Sequence, residues 1–257
     1  MRTALVCAWL IISTGPVVPQ TAVVESLADF RLERTLALAG ETHHVQGIEL
    51  DREKLWVTSV DASLRKGFLL EFSLTKGTLL RRLEIQQGAR FHPGGMAADG
   101  DSLWIPLAEY RHTSSAVIQK RSKRTLAVEF QFEVPDHIGC VAVVPSGLIG
   151  GNWDSRDFYV WDRKGRQLRK VSNPTDNDYQ DLKFVSGRLV ASGLLPDGTG
   201  AVDWLEYPSL KMTRRIRAGW TDRGVVYTRE GMAVRGDLLY VLPEDYPSRV
   251  FVFRMRR

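Results

Sequence analysis

The chain reads as an all-β protein, a five-bladed β-propeller whose last blade is closed by a strand from the N-terminal side. Three observations predict this. First, one pattern recurs: polar residues, a glycine or aspartate, an apolar strand, a polar turn and a second apolar strand. It runs from His43-His44-Val45-Gln46-Gly47-Ile48 to Leu55-Trp56-Val57, and from Phe91-His92-Pro93-Gly94-Gly95-Met96 to Leu103-Trp104-Ile105. It returns at Asp136-His137-Ile138-Gly139-Cys140, and more weakly at Tyr179-Gln180-Asp181-Leu182 and Arg229-Glu230-Gly231-Met232. Second, the starts at Gly47, Gly95, Gly139, Asp181 and Gly231 are spaced 48, 44, 42 and 50 residues. Four short strands per repeat at a period in the forties is the propeller pattern. Third, the fifth repeat stops after three strands, while Phe30 to Leu38 alternates apolar and polar without a partner of its own. That strand completes the fifth blade and removes an open sheet edge.

Taken in order, unit one has strands at Gly47 to Leu50, Leu55 to Ser59, Gly67 to Leu74 and Thr78 to Ile85. The turns Asp51-Arg52-Glu53-Lys54 and Thr75-Lys76-Gly77 carry the residue types that reverse a chain. Unit two has Gly95 to Ala98, Leu103 to Leu107, Ser115 to Gln119 and Thr125 to Phe132. Unit three has Gly139 to Val144, Leu148 to Gly151, Phe158 to Trp161 and Gln167 to Val171. Unit four has Asp181 to Val185, Arg188 to Ser192, Val202 to Tyr207 and Leu210 to Ile216. Unit five has Gly231 to Val234, Leu238 to Leu242 and Val250 to Met255. The stretch Ala218 to Thr228 is too short to hide a sixth blade. Trp56 and Trp104, mid-strand at equivalent places, are expected to pack between blades.

Of the 257 residues, 44% are hydrophobic and 25% charged, enough for a sizeable core. The net charge of +5 is spread along the chain without a run of like charges, so nucleic-acid binding is not indicated. Met1-Arg2, the apolar run Ala4 to Ile12 and the small and polar residues to Ala22 have the layout of a signal peptide. The apolar run is too short to span a bilayer. The expected organisation is a signal peptide at 1–22 and a single propeller domain at 30–257, monomeric and either periplasmic or secreted. Cys140 is then the one cysteine left, and its apolar neighbours mark it as a buried packing residue, not a nucleophile.

In a propeller, the residues before each innermost strand and those after the second strand emerge on the same face. The first set is His43, His44, Gln46, His92, Asp136, His137, Asp178, Tyr179, Gln180, Arg229 and Glu230. The second is Asp61, Glu109, Tyr110, Arg111, His112, Asn152, Trp153, Asp154, Asp197, Glu244, Asp245 and Tyr246. All five histidines of the protein fall in these sets. Histidines that titrate near neutrality beside carboxylates suit acid–base work, so His44, His92, His137 and Glu230 are the candidate catalytic groups. Gln46, Asp61, Glu109, Tyr110, Asn152, Asp154, Tyr179 and Asp181 are the candidate ligand-binding groups, because aromatics beside hydrogen-bonding groups suit a small polar molecule or glycan. Imidazoles with carboxylates also suit a divalent metal such as Zn²⁺, although no HxxxH or HExxH spacing marks one. No GxSxG nucleophile motif is present. The rival reading is a non-catalytic scaffold that holds another exported protein.

The stretches HHVQGI, LWVTSVD, RKGFLLEF, FHPGGM, VPDHIG, NWDSR, DYQDL and EGMAV resemble an uncharacterised family of exported bacterial β-propeller proteins, a domain of unknown function. The resemblance covers nearly all of the chain from His43 onward. It implies the propeller fold and places characteristic polar residues at the positions named above, but implies no activity. A more distant likeness is to glutaminyl cyclotransferase propellers, also five-bladed, through the Gln46-Gly47 opening. The acidic segment those proteins carry after the second strand is not evident in Thr58-Ser59-Val60-Asp61.

Overall fold

The computed structural model describes residues 21–255; of the expected signal segment at 1–22, all but Thr21 and Ala22 lies outside the described residues. The chain enters through β1 (Val23–Ser26), a 3₁₀ turn (Leu27–Asp29) and β2 (Arg31–Ala37). Blade one is β3 (His44–Asp51), β4 (Lys54–Asp61), β5 (Lys66–Ser73) and β6 (Leu79–Glu84), paired in that order. Blade two is β7 (Arg90–Pro93), β8 (Ala97–Asp99), β9 (Ser102–Glu109), β10 (Ala116–Ser122) and β11 (Val128–Val134). Blade three is β12 (Ile138–Val144), β13 (Gly147–Asn152), β14 (Asp157–Trp161) and β15 (Gln167–Ser172). Blade four is β16 (Asp178–Val185), β17 (Arg188–Leu194), β18 (Gly200–Glu206) and β19 (Met212–Ala218). Blade five is β20 (Gly231–Arg235), β21 (Leu238–Leu242) and β22 (Arg249–Arg254), and β2 is its fourth strand. The fold is therefore the expected five-bladed propeller. No helix among the described residues is long and apolar enough to cross a membrane.

The closure is antiparallel, with Arg31 opposite Arg254 and Ala37 opposite Arg249. Leu36 and Leu38 drop from it into an apolar cluster shared by blades five and one, with Val45, Ile48, Val250 and Val252. Each of the other four blade interfaces has a cluster of its own. Trp56 and Trp104 are fully buried in two of them, as their mid-strand positions imply.

Two features depart from the sequence reading. The innermost strand of blade two is not continuous: β7 and β8 both pair with β9, and Gly94-Gly95-Met96 passes between them. Glycine lets this connection press on the next blade. A side chain on Gly94 would start 1.8 Å from the carbonyl oxygen of Gly139, where no atom fits. Gly95 instead exchanges backbone hydrogen bonds with blade three: its N–H donates to Gly139 at 2.9 Å, and its carbonyl accepts from Val141 at 2.9 Å. The other departure is β1, a short segment without clear periodicity. It adds in parallel to the outer strand β19 and covers the edge of blade four.

The blades meet on the axis through small residues and one aspartate. A side chain on Gly47 would begin 2.5 Å from the Cα of Gly95, and one on Gly231 would press on Ile48. Blade four alone carries a bulky group at this level, the fully buried Asp181. Its Oδ2 accepts the Ile48 N–H of blade one at 3.0 Å and the Met232 N–H of blade five at 3.1 Å. Its Oδ1 accepts from Leu182 N at 2.9 Å and from the ammonium of Lys183 at 2.6 Å. Lys183 also donates to the carbonyl of Met96 in blade two at 2.8 Å. Burial, opposed by Lys183, raises the Asp181 carboxyl to about 6, so it is ionised at neutral pH and balances the lysine. Asp181→Ala strands a buried ammonium and two backbone N–H groups from different blades. The expected cost is about 3–5 kcal/mol, read as a lower urea midpoint with an unchanged slope.

Candidate functional site

Where the innermost strands begin, the blades leave a cavity of about 150 Å³. His44 opens β3, His92 lies in β7, His137 precedes β12, Asp178 opens β16 and Glu230 precedes β20. Tyr110 and Trp153 enter from the loops that follow the second strands of blades two and three. The shared start point of the repeats thus becomes one polar mouth.

One wall is a stack of rings. Tyr110 lies flat on His92, with centroids 4.2 Å apart and planes at 7°. His137 is tilted against His92 at 5.3 Å, and Trp153 meets His137 edge-on at 4.5 Å. Such ring pairs are rigid as well as favourable. His137 Nδ1 lies 3.1 Å from the carbonyl of Arg111 and 3.2 Å from the Ser114 hydroxyl. Donation of the Nδ1 proton to that carbonyl leaves Nε2 as an acceptor. Burial keeps His137 neutral, lowering it to about 4. Burial, with His137 and His44 near by, also pushes His92 far below its usual range. The Nδ1 of His92 is buried without a hydrogen-bond partner.

The opposite side is acidic. The side chain of Glu230 is 6% exposed and stands 4.0 Å from His44 Nε2. No hydrogen bond reaches its carboxyl from the described residues. Burial, with Glu244 and Asp178 adding like charge, raises Glu230 well above the carboxylate range. Asp178 is raised to about 6 by burial and by the neighbouring Asp154. Glu244 is held low by His44 and by Arg229, whose Nε donates to it at 2.9 Å. His44 Nδ1 lies 2.8 Å from Glu244 Oε1 but off the line of a hydrogen bond. The mouth therefore presents the neutral imidazoles of His92 and His137 and two carboxyls of weakened acidity, Asp178 at about 6 and Glu230 raised by burial. That set donates and accepts hydrogen bonds with little fixed charge, and it can move protons.

His44, His92, His137 and Glu230 all line this cavity, with Gln46, Tyr110, Asn152, Asp154 and Tyr179. Some of these have their polar ends engaged elsewhere. The Tyr179 hydroxyl donates to Asp203 at 2.8 Å, between strands of blade four. Asn152 spans Asp136 Oδ2 and the Asp157 N–H, each at 2.9 Å. Asp154 is at the rim, 3.0 Å from His112. Asp61, Glu109 and Asp181 do not line the cavity. Asp61 accepts from Ser63 at 2.6 Å and from Leu64 at 3.0 Å, holding a turn. Glu109 pairs with Arg111 and Ser115, and Asp181 is the axial group described above. His43 stacks on Phe68, away from the mouth. Asp178, Gln180 and Trp153 line the cavity too. Their position on the blade tops was the signal for them, but nothing in their spacing separates them from their neighbours.

The buried imidazole has a measurable consequence. The unfolded chain protonates His137 below about pH 6.5, whereas the folded chain resists until about pH 4. Stability supported by the neutral ring is therefore lost as pH falls through that window, by up to about 3 kcal/mol. Urea denaturation at several pH values should show the wild-type advantage over His137→Gln shrinking by that amount between pH 7 and 4. A constant difference would mean that the ring titrates normally.

No curated protein matches the sequence. Among solved structures, the chain is similar to a glutaminyl cyclase of Myxococcus xanthus, at 14% identity and a TM-score of 0.70, over 91% of this chain and 98% of that one. It is also similar to virginiamycin B lyase of Staphylococcus aureus, at 10% identity and a TM-score of 0.52, over 88% of this chain and the whole of that one. At these identities the likeness is one of fold. Residues 36–195 match the profile of a family of unknown function, DUF6454, and the chain belongs to that family.

Proposed function

We propose that the chain binds a small polar or carbohydrate-like ligand at the histidine-rich mouth of its axis. The observation that carries this reading is the Glu230 carboxyl, buried, raised and without a hydrogen-bond partner beside a cavity of about 150 Å³. A buried polar group without a partner is costly, and a ligand that completes its hydrogen bonds recovers that cost. The Tyr110–His92 stack offers a flat face for a ring, and the neutral imidazoles favour an uncharged or weakly charged guest. The volume suits one ring of a few heavy atoms.

Hydrolase- or lyase-type turnover is a second reading, favoured by a separate observation. Glu230 and Asp178 face the same cavity and both carboxyls are raised, Asp178 to about 6 by burial and Asp154, Glu230 by burial and Glu244. One can donate a proton while the other accepts it. The scaffold reading has less support. Leu195 is buried rather than part of an exposed apolar patch, and the exposed Tyr246 lies beside polar Glu41, 3.4 Å from its hydroxyl. Action in the periplasm or outside the cell belongs to the same proposal and rests on the leader-like layout of the first 22 residues.

The test is a thermal-shift screen of chelator-treated protein against monosaccharides, sugar acids, lactones and small amides. A ligand at ~100 times its Kd should add about 2.7 kcal/mol of stability. The shift should survive Glu230→Gln, which keeps a neutral hydrogen-bonding group, and vanish in Glu230→Ala. A shift indifferent to Glu230→Ala and His92→Ala together would place the ligand elsewhere and overturn the proposal.

A further inference from the structure

Three potential ligand groups converge on one side of the mouth. One atom each from His44, Glu230 and Glu244 can be chosen so that all lie within 4.8 Å of one another. His44 Nδ1 is 2.8 Å from Glu244 Oε1, and its Nε2 is 4.0 Å from Glu230 Oε1. They come from the start of β3, the residue before β20 and the loop after β21, and nothing in their spacing along the chain announces them. A second fact is that Glu230 is 5% exposed and its carboxyl takes no hydrogen bond from the described residues, the Arg229 Nε standing 4.0 Å from its Oε1. The buried Nδ1 of His44 also lacks a well-aligned partner.

We infer that His44, Glu230 and Glu244 form a binding site for one divalent transition-metal cation, with a vacant coordination position facing the cavity. The inference rests on the same mouth being the functional site and names what the unpartnered carboxyl is for. Two carboxylates and an imidazole supply borderline and hard donors, a set that Zn²⁺ and Mn²⁺ accept. Ca²⁺ wants six or more oxygens, which this corner does not supply. Ligands at 2.0–2.2 Å in a tetrahedron sit about 3.4 Å apart, so the corner needs movements of about 1 Å to close on an ion. Arg229 already fixes the far oxygen of Glu244: its Nε donates to Oε2 at 2.9 Å, leaving Oε1 turned to His44. Such an outer hydrogen bond orients a ligand for a metal. Three protein donors with an open fourth position is the arrangement of a reactive rather than a purely structural ion.

The experiment is titration of the chelator-treated full chain with ZnCl₂, followed by calorimetry and melting temperature. One saturable site per chain and a higher melting temperature are expected. Co²⁺ in place of Zn²⁺ should give visible absorption of a low-symmetry N/O site. His44→Ala, Glu230→Gln and Glu244→Gln should each weaken binding by about 100-fold or more. His112→Ala, which removes an exposed rim histidine, should leave it unchanged. Absence of saturable binding, or binding lost in His112→Ala but retained in His44→Ala, overturns the inference. Because Glu230→Gln is expected to keep the organic ligand while losing the ion, failure of the metal site and failure of the ligand reading are separable. Circular dichroism of each metal-free variant shows that a loss is not unfolding.

Discussion

The carboxylate of Asp181 is the interaction on which the rest of the ring depends. A five-bladed ring has a narrow axis, and close approach there demands positions without side chains. Gly47, Gly94, Gly95 and Gly231 meet that demand where a Cβ would strike a neighbouring blade. The blade-four repeat breaks the glycine pattern, and its aspartate occupies the space the glycines leave. It then receives N–H groups from blades one and five, while Lys183 reaches blade two. Buried charge is tolerated only when paired and hydrogen-bonded, and here both conditions hold. Blades two and three need no such link, because Gly95 joins them through the backbone.

This hub also shapes the site. Asp181 and Lys183 are buried, so the axis at their level is filled and the mouth above it has a floor. Burial in this mouth raises the cost of charge for several of its groups. His92 and His137 become neutral, Glu230 is raised well above the carboxylate range and Asp178 moves toward neutrality. Glu244, beside the mouth, is instead held low by His44 and Arg229. The acid–base character of the mouth follows from how the ring is plugged as much as from which residues surround it.

The repeat made the architecture legible in the sequence, including the pairing of Phe30 to Leu38 with the last strand. It also made the face legible, because blade geometry turns sequence position into height along the axis. What it could not show was direction around the axis. Asp181 sits at a blade top and reads as a ligand group; only ring closure reveals that it takes N–H groups from two other blades. Tyr179 likewise looks free until its hydroxyl is seen on Asp203. Asp61 and Glu109 are engaged by residues a few places away, Ser63 and Arg111, a local pairing that height along the axis does not reveal. β1 was invisible because its pairing is an edge addition with no burial periodicity of its own.

The closing strand has a consequence for how the molecule is made. β2 precedes all five blades along the chain, yet its partner β22 is the last of the described strands, and Arg31 must find Arg254. Until β22 is made, β2 has no sheet to join. Contacts this distant in sequence form late, because the loop between them must close first. Growth from one end therefore cannot finish this ring blade by blade. Closure is an event of the whole chain, and a ribosome halted before residue 249 leaves a partial ring whose two open ends are the surfaces most prone to pair with a neighbour.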